Sequence, residues 1–168
     1  MSVRPLAWIG QIVLYALFAV IIGWFSSHPR YQHLAPDEAL LKISFSHPGQ
    51  LKAECRRRSA EELAKLAPNM RTALDCPRAR SPVVVELALD DRILTRRTVR
   101  AAGISEDGPS TLYERFEVPS GEHELSVRIN DNVRVAGFNY TREEKVRLEP
   151  GRVLVVDFEP AKGGITFQ

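Results

Sequence analysis

The sequence predicts a mainly β protein, in which one transmembrane helix precedes a single antiparallel β-sandwich with one short helical insert. Near its N-terminus the chain has twenty consecutive residues, Leu6–Phe25, that carry no charge, which is the signature of a membrane span. Many short segments with alternating hydrophobicity follow, separated by Pro-, Gly- and Asn-rich turns. No strand–helix–strand rhythm is present, so a parallel α/β architecture is not expected.

The apolar segment Leu6–Phe25 follows a short tail (residues 1–5). At a rise of ~1.5 Å per residue it matches a bilayer core of ~30 Å. A cleavable signal peptide is the alternative, with an apolar centre of roughly 7–15 residues before a small-residue cleavage site. This segment is longer and runs into Trp24–Pro29 (WFSSHP) without such a site, so we favour an uncleaved signal anchor.

The flanking charges give only a small bias in orientation, because Arg4 lies before the apolar segment and Arg30 after it. A short tail followed by a long exported domain is the simplest arrangement. We therefore expect the tail in the cytoplasm and the C-terminal domain in the periplasm of a bacterium, with the helix in the inner membrane.

Within the segment, polar and small residues recur at helical spacing. Gln11 and Tyr15 are one turn apart, and Ala19 and Gly23 form a small-xxx-small pair. These four residues are candidates for contact with another helix. The alternative is that a long apolar span tolerates one Gln and one Tyr.

Two cysteines occur, Cys55 and Cys76. An even count in a domain expected outside the cytoplasm predicts one disulfide between them. The alternatives are two buried free thiols, or a redox or metal pair, although no Cys-x-x-Cys motif or adjacent histidine is present.

A linker is expected over residues 26–38, and the sandwich over residues 39–168. Its helical insert is placed at residues 56–80, where Ser59 and Glu62 form a capping box before a helix over Ala60–Ala67. The expected strands are Leu40–Ser46, Val83–Leu89, Ile93–Arg100, Thr111–Val118, Glu122–Ile129, Val133–Tyr140, Glu144–Leu148, Val153–Phe158 and Ile165–Phe167.

The segment Phe116–Val127 (FEVPSGEHELSV) resembles the core of PEGA-type and carboxypeptidase-regulatory-like domains, in which a Pro-x-Gly turn precedes a His-x-Leu-x-Val strand. Val146–Gly151 followed by Val153–Val156 resembles the closing hairpin of the same domains. The resemblance covers residues 111–158 and departs from the namesake motif, since Pro119–Glu122 reads PSGE. It implies an Ig-like or PEGA-like sandwich that acts as a non-catalytic interaction module, with no site residues to transfer.

Charge is unevenly distributed along the chain. Residues 52–100 contain twelve Lys or Arg and seven Asp or Glu, whereas residues 101–168 contain eight and twelve. Neither part has the concentrated positive charge of a dedicated nucleic-acid-binding protein. A basic interaction patch is nevertheless a candidate, formed by Arg56, Arg57, Arg58, Arg96, Arg97 and Arg100.

No catalytic, phosphate-binding or haem-attachment motif occurs, so we expect no enzymatic activity, no cofactor and no metal site. The leading hypothesis is a membrane-anchored protein-interaction module, an accessory or assembly subunit of a bacterial envelope or respiratory complex. The alternative is a module that binds cell-wall glycan or anionic lipid through the basic patch.

Overall fold

The structure is a computed structural model that describes residues 5–28 and 34–168. These residues divide into an N-terminal helix and a β-rich unit that begins at Pro36. The predicted tail lies largely outside the described residues, and so do residues 29–33 of the predicted linker.

The N-terminal helix α1 spans Pro5–Ser27. It exceeds the predicted segment because Pro5 suits the first position of a helix, where no amide hydrogen bond is needed. Its last turn is closed by the Ser27 hydroxyl, which donates to the carbonyl of Gly23 at 2.6 Å. The stretch Ala7–Ser27 is long and apolar enough to span a membrane.

The β-rich unit contains two four-stranded sheets in the described residues. The first has the order β10-β9-β1-β6, with β1 at Glu38–His47, β6 at Ser110–Pro119, β9 at Val153–Glu159 and β10 at Gly164–Phe167. The second has the order β5-β4-β7-β8, with β4 at Val83–Leu89, β5 at Arg92–Val99, β7 at Gly121–Asn130 and β8 at Tyr140–Leu148. The two-residue strands β2 (Arg56–Arg57) and β3 (Leu74–Asp75) pair with each other.

The buried hydrophobic residues of both sheets belong to one cluster, which explains why their strands alternate. Leu41 and Ile43 on β1 and Leu125, Val127 and Ile129 on β7 are fully buried. Burial of each such side chain stabilises the fold by about 1.5–3 kcal/mol. The predicted strands with this clean alternation are confirmed, within one or two residues at each end.

The expectation of purely antiparallel pairing is wrong at one position, since β1 and β9 run parallel with Leu40 opposite Val153. The Pro150–Gly151 turn carries the chain from β8 in one sheet to β9 in the other, so the expected closing hairpin is also wrong. The Gly151 amide donates to the Glu38 carbonyl at 2.8 Å, which starts β9 beside the beginning of β1.

The predicted strand Val133–Tyr140 is wrong, because residues 131–139 form a loop and β8 starts only at Tyr140. The Asn130 amide group donates to the carbonyls of Val135, at 3.0 Å, and Gly137. Gly137 has φ +80°, a conformation that interrupts a strand. These bonds replace the ladder bonds that a strand would make.

The predicted helix Ala60–Ala67 is shorter than expected, since the helix α2 spans Ala60–Ala64 and a 3₁₀ turn follows at Pro68–Met70. Its capping box is confirmed. The Glu62 amide donates to the Ser59 hydroxyl at 3.2 Å, and the Ser59 amide donates to the Glu62 carboxylate at 2.8 Å.

Candidate interaction site at the disulfide-closed insert

The excursion between β1 and β4 is closed at its base by a bridge between Leu51 and Arg80, and we call residues 51–80 the insert. Next to this base, the backbone at Gly49 lies very close to the backbone of Ser81. A Cβ atom on Gly49 would lie 2.1 Å from the carbonyl oxygen of Ser81, so no other residue fits without a backbone shift. The Ser81 amide donates to the Gln50 carbonyl at 2.7 Å, which holds the two sides together.

The insert lies at the end of the sheets where β1 finishes. Two further loops, residues 100–109 and 131–139, meet it there, and we call this region the insert end. The chain enters the β-rich unit at Pro36, at the opposite end of β1.

The sulfur atoms of Cys55 and Cys76 lie 2.09 Å apart, at bonding distance, and close a loop around α2. The neighbouring β2 and β3 strands contribute two residue pairs. Among the described residues, no member of the hydrophobic core comes from the insert. Local contacts and the disulfide therefore hold this segment, and burial contributes little.

One face of the β2–β3 ladder is occupied by ion pairs. Arg56 donates to Glu62 at 2.8 Å and to Asp75 at 3.3 Å, and Arg58 donates to Asp75 at 2.8 Å. The hydrogen bond from Arg56, with help from the Ser59 amide, lowers the pKa of Glu62 below its usual value. These two arginines are neutralised within the insert.

The other face of the ladder is open. Arg57 and Leu74 lie directly opposite each other, so their side chains share a face. Leu74 is 53% exposed, Arg57 is also exposed, and among the described residues Arg57 has no carboxylate partner. This pair presents one cation and one apolar side chain to solvent, and we call it the Arg57–Leu74 face.

Polar contacts attach the insert to the neighbouring loops. Lys52 forms an ion pair with Glu106, and Arg78 pairs with Asp107 at 2.6 Å. The hydrogen bond from Lys52 lowers the pKa of Glu106, and the charge of Arg100 adds a smaller effect in the same direction. On the other side, Arg134 pairs with Glu54 at 3.1 Å.

The six arginines of the predicted basic patch are distributed over separate places. Arg96 approaches Glu86 at 3.4 Å within its own sheet, while Arg97 donates to Glu114 of the other sheet at 2.8 Å. Arg100 lies near Glu106 at the base of the insert. Within the described residues, four of the six therefore form ion pairs with carboxylates, and Arg57 and Arg100 form none.

The candidate helix–helix residues Gln11, Tyr15, Ala19 and Gly23 all occupy exposed positions of α1. A Cβ atom on Gly23 would meet nothing within 4 Å, so the small-residue face is open in the described part of the chain.

The sequence does not predict a polar network that is buried at the insert end. Asp131 is fully buried; it accepts hydrogen bonds from His47 Nε2 at 2.9 Å and Asn139 Nδ2 at 2.7 Å. The Gln50 amide donates to the Asp131 carbonyl at 2.8 Å. Burial, and the nearby charge of Asp131, raise the pKa of Tyr140. The sequence predicts only a turn at Asn130–Asn132, although Asn and Asp side chains often cap such loops.

A second histidine, His123, makes polar contacts at the opposite end of the sheets. The Nδ1 atom of His123 lies 2.5 Å from Asp90 Oδ2, and its Nε2 atom lies 2.9 Å from the carbonyl oxygen of Pro119. The His123 hydrogen bond, together with the Glu124 amide, lowers the pKa of Asp90.

The described residues contain no group of three or more His, Cys, Asp or Glu side chains arranged to hold a metal ion. The chain matches no protein-family model, no curated protein and no solved structure.

Proposed function

We propose that the chain is a membrane-anchored protein-interaction module with its β-rich unit in the periplasm. It would serve as an accessory or assembly subunit of a bacterial envelope or respiratory complex. We further propose that the two sheets form an Ig-like or PEGA-like β-sandwich, since they share one core and β6 passes to β7 through the Pro119–Gly121 turn.

The observation that carries the proposal is the disulfide-closed insert outside the core. A 30-residue segment that adds nothing to the hydrophobic cluster in the described residues contributes little to the stability of the sheets. A shaped, cross-linked surface of this kind suits contact with another molecule. Its disulfide suits an oxidising compartment, which supports a periplasmic position.

The apolar length of α1 supports membrane anchoring. A tether confines the module to the membrane surface and raises its effective concentration near membrane-bound partners. The proposal involves binding alone and no catalytic step.

The glycan or anionic-lipid alternative depends on a continuous basic patch. Carboxylates pair with four of its six arginines, Arg56, Arg58, Arg96 and Arg97. Paired charges attract an anionic surface less than free ones, so this pairing argues against binding of glycan or anionic lipid through the patch. A protein partner is therefore the better-supported proposal.

Extraction of native membranes with mild detergent, followed by co-purification through a C-terminal tag, tests the function. We expect a defined complex larger than the tagged chain, recovered reproducibly with the same protein partner. As a control, the isolated residues 1–35 with the same tag should not recover it. A full-length chain that migrates as a partnerless monomer in native extracts would contradict the proposal.

A further inference from the structure

We infer that the Arg57–Leu74 face is the contact site, and that it receives an acidic segment of a partner protein carrying at least one apolar side chain. The inference rests on the proposed function and adds the surface and the chemistry of the partner.

Pairing separates the two faces of the ladder. The Arg56–Asp75 pair points towards α2, where Glu62 completes the ion-pair cluster. The opposite face, with Arg57 beside Leu74, has no such covering element among the described residues. The ladder is thus satisfied on one side and available on the other.

Net charge identifies the kind of partner. The insert contains eight Lys or Arg and four Asp or Glu, for a net charge of +4. Lys65 and Arg71, which lie between β2 and β3 in the sequence, are exposed. Like Arg57, they make no ion pair with a carboxylate in the described part of the chain. A complementary surface is therefore acidic, and a second copy of the insert would be repelled by its like charge.

Exposure indicates that the contact is not purely electrostatic. Leu74 is 53% exposed and Met70, four residues earlier, is 59% exposed. An apolar side chain of the partner that covers Leu74 would remove this surface from water, while acidic groups pair with Arg57. Such a combination gives both specificity and affinity.

Site-specific photo-crosslinking in native membranes tests the inference on the full-length chain. One photoreactive residue replaces Leu74, and a matched control replaces Ile93, which is 54% exposed near the β4–β5 turn at the other end of the sheets. We expect a discrete protein adduct from position 74 and none from position 93. Mass spectrometry of the adduct should identify an acidic peptide in the partner.

Charge variants sharpen the test. Arg57→Glu should reduce the adduct at position 74 by roughly tenfold or more, whereas Arg57→Lys should largely retain it. Arg147→Glu makes the same change in net charge at an exposed site near the end of β8, far from the insert, and should leave the adduct unchanged. Thiol labelling without reductant verifies that each variant still forms the Cys55–Cys76 disulfide.

Several outcomes would overturn the inference. These are an adduct with lipid, with glycan or with a second copy of this chain, a crosslinked partner peptide that is not acidic, and an adduct insensitive to Arg57→Glu. If position 74 gives no adduct while a partner still co-purifies, the contact lies elsewhere and the proposed function stands. If no partner co-purifies either, the proposed function fails as well.

Discussion

Opening the Cys55–Cys76 disulfide should release the insert without unfolding the sheets. The bond joins residues 21 positions apart, and a loop of this length restricts the unfolded chain by about 3.4 kcal/mol. The remaining restraints are weak, because exposed ion pairs such as Arg56 with Glu62 contribute little to stability. In the folded protein Leu51 and Arg80 already hold the ends of the insert together, so this value is an upper bound. Since 1.4 kcal/mol corresponds to a factor of ten, the opening equilibrium of the insert should rise by up to roughly 300-fold.

Hydrogen exchange with mass spectrometry measures this directly. After reduction, amides of the β2–β3 ladder should exchange about two orders of magnitude faster, including the Arg58 amide that donates to the Ala73 carbonyl. Amides of β4 and β7 should keep their protection, because their buried residues lie in the shared core. The double variant Cys55→Ser/Cys76→Ser serves as a control without reductant and should behave like the reduced protein. Unchanged exchange in the ladder would show that the disulfide does not restrain the insert, and loss of protection throughout the sheets would show that the sheets depend on it.

Three further perturbations test the described contacts through urea unfolding. Gly49→Ala should lower the free energy of unfolding by about 2 kcal/mol or more, because its Cβ atom would clash with a backbone carbonyl; a loss below about 0.5 kcal/mol would contradict the close approach. Asp131→Ala should lower the free energy of unfolding by about 3 kcal/mol, because it leaves two side-chain donors unsatisfied. The exposed control Glu117→Ala should lower it by less than about 0.5 kcal/mol. Equal effects of the two variants would argue against the buried network. The lowered pKa of Asp90 stabilises the fold above its usual value of 3.8, and this contribution is lost as pH falls through the folded-state pKa. His123→Gln should therefore flatten the fall in stability below about pH 4, and an unchanged acid profile would exclude this contact as its source.

Much of the β-rich unit is predictable because burial on one side of a strand leaves a period of two in the sequence. The alternation in Glu122–Ile129 corresponds to β7, and the turn at Asp90–Arg92 corresponds to the β4–β5 hairpin. At that turn Asp90 and Asp91 adopt φ values of +49° and +64°, which suit a tight two-residue connection.

The failures have a common physical origin in contacts that the alternation of apolar and polar residues does not encode. Val133 and Val135 alternate with polar neighbours as in a strand, but the Asn130 side chain captures the carbonyls that a partner strand would need. The parallel pairing of β1 and β9 depends on which sheet each strand joins, and local periodicity carries no information on that choice.

The candidate site was predictable in part. The cysteine pair and the capping box at Ser59 follow from spacing and residue type. The sequence does not predict which arginines of Arg56–Arg58 form ion pairs and which stay unpaired. That outcome depends on the register that places Arg57 opposite Leu74 and Arg56 opposite Asp75.

We propose that the N-terminal helix remains attached and anchors the β-rich unit on the oxidising side of a membrane. Alkaline extraction of membranes, combined with N-terminal sequencing and thiol labelling of intact cells, tests it most directly. We expect an uncleaved chain that stays with the membrane, with Cys55 and Cys76 reactive only after a reductant is added. A chain cut near Ser27 and recovered in the aqueous fraction, or one whose thiols react without reductant, would contradict it.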